Sequence, residues 1–92
     1  MYTIRSTKAY RKAYKRISRH KDFDQRELDV AIDALASGKK LASRNHDHQL
    51  SGELKEYREC HIASDMLLVY QKHENVLVLL LVDLGSHDSL FR

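Results

Sequence analysis

The spacing of apolar side chains changes once along this chain, from a helical period to a strand period. That change constrains the fold more than any other feature. In the first forty or so residues, Tyr10, Ala13, Tyr14 and Ile17 form one i, i+3, i+4, i+7 stripe. Leu28, Ala31, Ile32 and Leu35 form another. Each stripe marks one face of an amphipathic helix. From Glu56 onward the period is two. Tyr57, Glu59 and His61 fall on one side of an extended segment, and Arg58, Cys60 and Ile62 on the other. Met66–Tyr70 and Val76–Leu84 continue as runs rich in β-favouring residues.

These periods predict a first helix over residues 8–19, capped by Ser6 or Thr7, and a second over 25–37, capped by Asp22 or Asp24 and stopped by Gly38. Tyr2–Arg5 alternates and predicts a short first strand. Residues 39–54 lose all periodicity and predict an ordered loop. The Val76–Leu84 run is apolar on both faces, so it predicts the central strand of an antiparallel meander. Residues 86–91 predict a last short strand or tail. The expected class is α+β, in the order β-α-α-β-β-β, with two N-terminal helices packed on a small antiparallel sheet. A chain of 92 residues fits a single domain, 1–92, with one modest core.

Several classes are excluded or disfavoured. The longest apolar stretch, Val76–Val82, has seven residues, against about 20 for a membrane-spanning helix. Cys60 is the only cysteine, so no intrachain disulfide framework exists, and a reducing, cytoplasmic setting is expected. Residues 1–21 carry eight Lys/Arg and no acid, as a transit peptide does, but the same segment has a core-facing stripe. The net charge of +3 is uneven: residues 1–44 hold twelve Lys/Arg against five Asp/Glu, and residues 45–92 hold four against eight. A basic half suits a polyanion or an acidic protein as partner, or is simply a solvated helix surface.

Six histidines are many for this length. Histidine both takes and gives protons near neutral pH, so clusters of it invite acid–base chemistry. His20, at a helix end, and His73, in a turn, read as structural or solvated. His46, His48, His61 and His87 lie in or beside the predicted sheet. Glu59 and His61 share a face that helices are not expected to cover. Asp65 follows His61 by four residues across a turn and could polarise it. Three readings stand at this point. His46-x-His48 with Glu59, His61 or Asp65 could bind a metal. The same groups could be ordinary surface. They could also cleave RNA, which supplies its own nucleophile in the 2′-hydroxyl and needs only a base, an acid and a cation near the phosphate. Arg58 lies on the opposite face by strict alternation, and Phe91 could stack on an unpaired base or plug the core.

Three blocks carry a resemblance: His48-Gln49-Leu50-Ser51-Gly52; Tyr57-Arg58-Glu59-Cys60-His61-Ile62 with Asp65-Met66-Leu67-Leu68-Val69-Tyr70; and Gly85-Ser86-His87 with Leu90-Phe91. Together they resemble the YafQ-type branch of the RelE/ParE toxin superfamily, over about the last half of the chain. The resemblance implies a RelE-like, microbial-RNase-like fold. It implies a toxin that cuts mRNA on the ribosome with no metal and no cofactor. His48, His61, Asp65 and His87 would be catalytic, with His48 and His61 as base and orienting group, Asp65 holding a histidine and His87 as the acid. Arg58, Glu59 and Phe91 would contact the RNA. The resemblance also implies an acidic, DinJ-like antitoxin in a hetero-oligomeric complex, with the ribosome and mRNA as further partners and no membrane. A ParE-like gyrase inhibitor, or an antitoxin-binding module on the same fold, is the alternative function.

Overall fold

The computed structural model describes residues 1–63 and 65–91, with Phe91 as backbone only. The chain begins with strand β1, Thr3–Ser6, and enters helix α1, Lys8–Ile17, through Thr7. The Thr7 hydroxyl accepts from the Tyr10 amide at 3.0 Å and donates to the Val82 carbonyl at 2.6 Å. One residue thus caps the helix and ties its start to the sheet. Helix α2, Gln25–Ala36, starts at Asp24, whose carboxylate accepts from the Glu27 amide at 3.2 Å. Gly38 follows it with φ +82°, the left-handed geometry of a helix stop.

Four more strands follow: β2, His48–Gln49; β3, Arg58–Ala63; β4, Met66–His73; and β5, Val78–Gly85. The sheet order is β1-β5-β4-β3-β2. β3 to β5 pair antiparallel, as expected, and β2, within the stretch expected as a loop, pairs antiparallel with β3 as well. β1 instead runs parallel to β5, with Thr3 opposite Val78, so the sheet is mixed rather than wholly antiparallel. Parallel neighbours need a long crossover, and the two helices lie within it. The middle strand is β4, not the apolar run that forms β5. β5 is nonetheless flanked by β1 and β4, and all its residues are buried or half-buried.

The core lies between the helices and one face of the sheet. Tyr10 and Ala13 of α1, with Leu28, Ala31 and Leu35 of α2, pack over Cys60, Ile62, Leu68, Tyr70, Leu79, Leu81 and Leu84. The segment expected as a last short strand or tail is instead a short helix, α3, His87–Phe91. Ser86 starts it: its hydroxyl accepts from the Ser89 amide at 3.2 Å and its carbonyl from the Leu90 amide at 3.1 Å. Among the described residues, no helix is long and apolar enough to cross a membrane.

Candidate functional site

Strand β3 sorts its side chains as its period demands. Cys60 and Ile62 are buried under the helices. Glu59 and His61 emerge on the other face of the sheet. The loop before β3 brings more chemistry to that face. Ser43–Asn45 forms one 3-10 turn, and the Asn45 amide donates to the His61 carbonyl at 2.7 Å. His46 then takes a left-handed conformation, φ +46°, and the chain pairs with β3 so that His48 stands opposite Glu59.

Glu59 is the one buried charged residue among the described residues, 5% exposed. A buried carboxylate is costly unless partnered. Its partners are two imidazoles: Oε1 lies 3.4 Å from His48 Nε2 and 3.8 Å from His61 Nε2. The opposite nitrogen of His48, Nδ1, lies 2.6 Å from the His46 carbonyl. A carbonyl only accepts, so Nδ1 carries a proton and donates. The His46 ring meets the His61 ring edge to face, centroids 5.2 Å apart. Two imidazoles thus flank one carboxylate and a third, His46, packs against one of them, each at least partly open to solvent.

The remaining expected site residues are placed differently. Asp65 is exposed at the β3–β4 turn and lines a cleft of about 540 Å³ with Arg16, His20, Ser86 and Ser89. The carboxylate beside His61 is Glu59, not Asp65. His87 opens α3 two residues past Gly85. Leu67 pairs with both His61 and Gly85, so this row sets the end of β5 about 10 Å from His61 at ordinary strand spacing. The side chain of Phe91 lies outside the described residues. Arg58 follows strict alternation to the helix side. There its Nε donates to the Tyr70 hydroxyl at 3.2 Å, and its Nη2 stands 3.4 Å from Asp47 Oδ2. The Tyr70 hydroxyl donates in turn to Asp47 Oδ1. Burial, then the bond to Asp47, holds the Tyr70 phenol well above its ordinary pKa. Burial draws the Arg58 pKa down, but its bonds to Tyr70 and Asp47 outweigh that and leave it raised.

His46, Asp47 and Tyr70 were not selected as site residues from the sequence. The His-x-His spacing was a signal for His46. The contact of Asp47 with Tyr70 joins residues 23 positions apart and left no mark in any local pattern.

Residues 2–92 match the family model described as the bacterial toxin of the type II toxin–antitoxin system, YafQ. A curated relative carrying the YafQ toxin name in Haemophilus influenzae is 46% identical over 42 residues, which span 46% of this chain and 41% of that protein. A metal-bound toxin from Helicobacter pylori has the same fold at TM-score 0.91 and 42% identity, covering 99% of this chain and all of that one. The toxin of the E. coli DinJ–YafQ toxin–antitoxin complex matches at TM-score 0.85 and 26% identity, covering 99% of this chain and 98% of that one. Among the described residues of this chain, no group of three or more His, Cys, Asp or Glu side chains is arranged to hold a metal ion. The fold, the three sequence blocks and the full-length match agree, and the chain belongs to the YafQ family of bacterial type II toxin–antitoxin toxins.

Proposed function

We propose that this toxin is an endoribonuclease that cuts translated mRNA on the ribosome by general acid–base catalysis without a metal. The observation that carries the reading is the buried Glu59 carboxylate set between His48 and His61 on the sheet face the helices leave open. RNA contains its own nucleophile. A base takes the proton of the 2′-hydroxyl, the oxygen attacks the adjacent phosphorus, and an acid protonates the leaving 5′-oxygen. The products are a 2′,3′-cyclic phosphate and a 5′-hydroxyl. Each proton transfer accounts for about 10²–10⁴-fold.

In this scheme the Glu59–His48–His61 group activates and orients the 2′-hydroxyl. His87, past the end of the strand two places over in the sheet, supplies the proton to the leaving oxygen. Asp65 and Phe91 border the path of the RNA from the same end of the sheet. Arg58 supports the site from behind, since its guanidinium is engaged with Tyr70 and Asp47. The exposed cations of α1, Arg11, Lys12, Lys15 and Arg16, suit ribosomal RNA or an acidic antitoxin. The E. coli relative is seen with its antitoxin DinJ, and a comparable complex in the cytoplasm is proposed here.

The test is expression of wild type and His87→Ala in a bacterial host, with RNA 5′ ends mapped on translated and untranslatable copies of one message. The reading predicts growth arrest and cuts in the translated copy alone, both lost in the variant. Equal toxicity of the variant without new 5′ ends would overturn it in favour of a gyrase-type target.

A further inference from the structure

We propose that Asp47, clamped by Tyr70 and Arg58 on the helix side of the sheet, is the positioning residue that holds His48 against Glu59 and His46 against His61 on the other side. The proposal rests on the nuclease reading for its effect on cleavage, but its structural part stands apart from that reading.

The segment being held needs an anchor. β2 is two residues long and sits at the sheet edge, with His48–Glu59 and Gln49–Arg58 as its register pairs and the Leu50 amide bonded to the Tyr57 carbonyl at 2.9 Å just beyond them. Short edge pairs of this kind open readily. His46 adds a left-handed backbone, φ +46°, which a non-glycine residue adopts only when its surroundings hold it there. Asp47 lies between these two histidines, and its carboxylate is engaged at both oxygens. Oδ1 accepts from the Tyr70 hydroxyl, and Oδ2 faces Arg58 Nη2 at 3.4 Å. Arg58 Nε closes the triangle on the Tyr70 oxygen at 3.2 Å.

The anchor itself is rigid. Tyr70 is 1% exposed on the middle strand, with its ring in the core. Arg58 sits on β3 next to Glu59. The clamp therefore fixes Asp47 to the two strands that frame the site. Two consequences follow on the other side. The His46 carbonyl stays within 2.6 Å of His48 Nδ1, and the His46 ring stays beside His61. A displacement of about 1 Å at such a group costs up to about 10²-fold in rate.

The experiment uses full-length toxin. Histidine ring ¹⁵N spectra of the free protein are recorded for wild type, Asp47→Ala, Asp47→Asn and Tyr70→Phe, with single-turnover cleavage of mRNA on ribosomes. The proposal predicts that Asp47→Ala and Tyr70→Phe shift or broaden the His48 ring signals. It predicts a fall in kcat of about tenfold or more, with KM within about twofold. Asp47→Asn, which keeps an acceptor for Tyr70, recovers most of both. Tyr70→Phe keeps the buried ring and carries the test should Asp47→Ala fail to fold. His48 signals identical to wild type in Tyr70→Phe overturn the clamp. If the wild type cuts nothing on ribosomes, the nuclease reading falls, and the ring spectra alone still decide the clamp.

Discussion

The Glu59 carboxylate lies 3.4 Å from His48 Nε2 although Glu59 is only 5% exposed. A charge is kept out of water here by design of the strand pair: His48 stands directly opposite Glu59 across the β2–β3 ladder. Replacing Glu59 by Gln keeps the shape and removes the charge. We expect a loss of about 10²-fold or more in ribosome-dependent cleavage with little loss of stability, since an amide is cheaper to bury than a carboxylate. Parallel thermal melts and cleavage assays check this. Unchanged cleavage would remove Glu59 from the chemistry.

Cys60 and Tyr10 make the fold sensitive to alkali. Burial pushes the Cys60 thiol from 9.0 up to about 12 and the Tyr10 phenol from 10.0 up to about 12. Both groups lose their protons in the unfolded chain first. Their contribution to stability is present in full below pH 9 and falls as pH rises from 9 toward about 12. Urea midpoints should therefore decline across that window, and Cys60→Ala should flatten the decline. The same burial predicts that Cys60 resists thiol reagents at pH 8 until the protein unfolds. Rapid labelling of native toxin would contradict it.

Gly85 governs where α3, and with it His87, can sit. A Cβ at this position would come within 2.5 Å of Ser89 Oγ and 3.4 Å of Leu90 Cδ2. Gly85→Ala should push the Ser89 hydroxyl off the Ser86 carbonyl, loosen the start of α3 and lower cleavage, because reacting groups must be placed within fractions of an ångström. Removing the obstructing atom in Gly85→Ala/Ser89→Ala should restore part of the loss. No difference between the single and double variants would show that α3 is not the element affected.

Leu77 is exposed in the β4–β5 turn with φ +53°. Left-handed backbone costs a non-glycine residue about 1 kcal/mol or more. Leu77→Gly should relieve that strain and leave stability equal or up to about 1 kcal/mol higher, read as a urea midpoint. A clear loss would mean that the Leu77 side chain is held by packing.

Much of this was legible in the chain. Periodicity located both helices to within two residues at their ends, because the Tyr10–Ile17 and Leu28–Leu35 stripes are long and Thr7, Asp24 and Gly38 mark their limits. The alternation in β3 placed Glu59 and His61 together and Arg58 behind them. Three features were not legible. The parallel pairing of β1 with β5 depends on how the helices cross the sheet, which no local pattern encodes. The apolar run of β5 carries no mark of strand order: every residue of Val78–Gly85 is buried or half-buried although β4 lies in the middle. The closeness of Asp65 in sequence suggested a partner for His61, whereas the ladder gives that place to Glu59, two residues away on the same strand.

The most direct test of the central claim is the chemistry of the product ends. Purified ribosomes carrying a defined mRNA are mixed with wild-type toxin and with His61→Ala, with and without prior chelation of the toxin and with magnesium then restored for the ribosome. The account predicts a 5′-hydroxyl fragment and a 2′,3′-cyclic phosphate partner, formed equally after chelation and lost in His61→Ala. A 5′-phosphate product, or cleavage abolished by chelation, would contradict it.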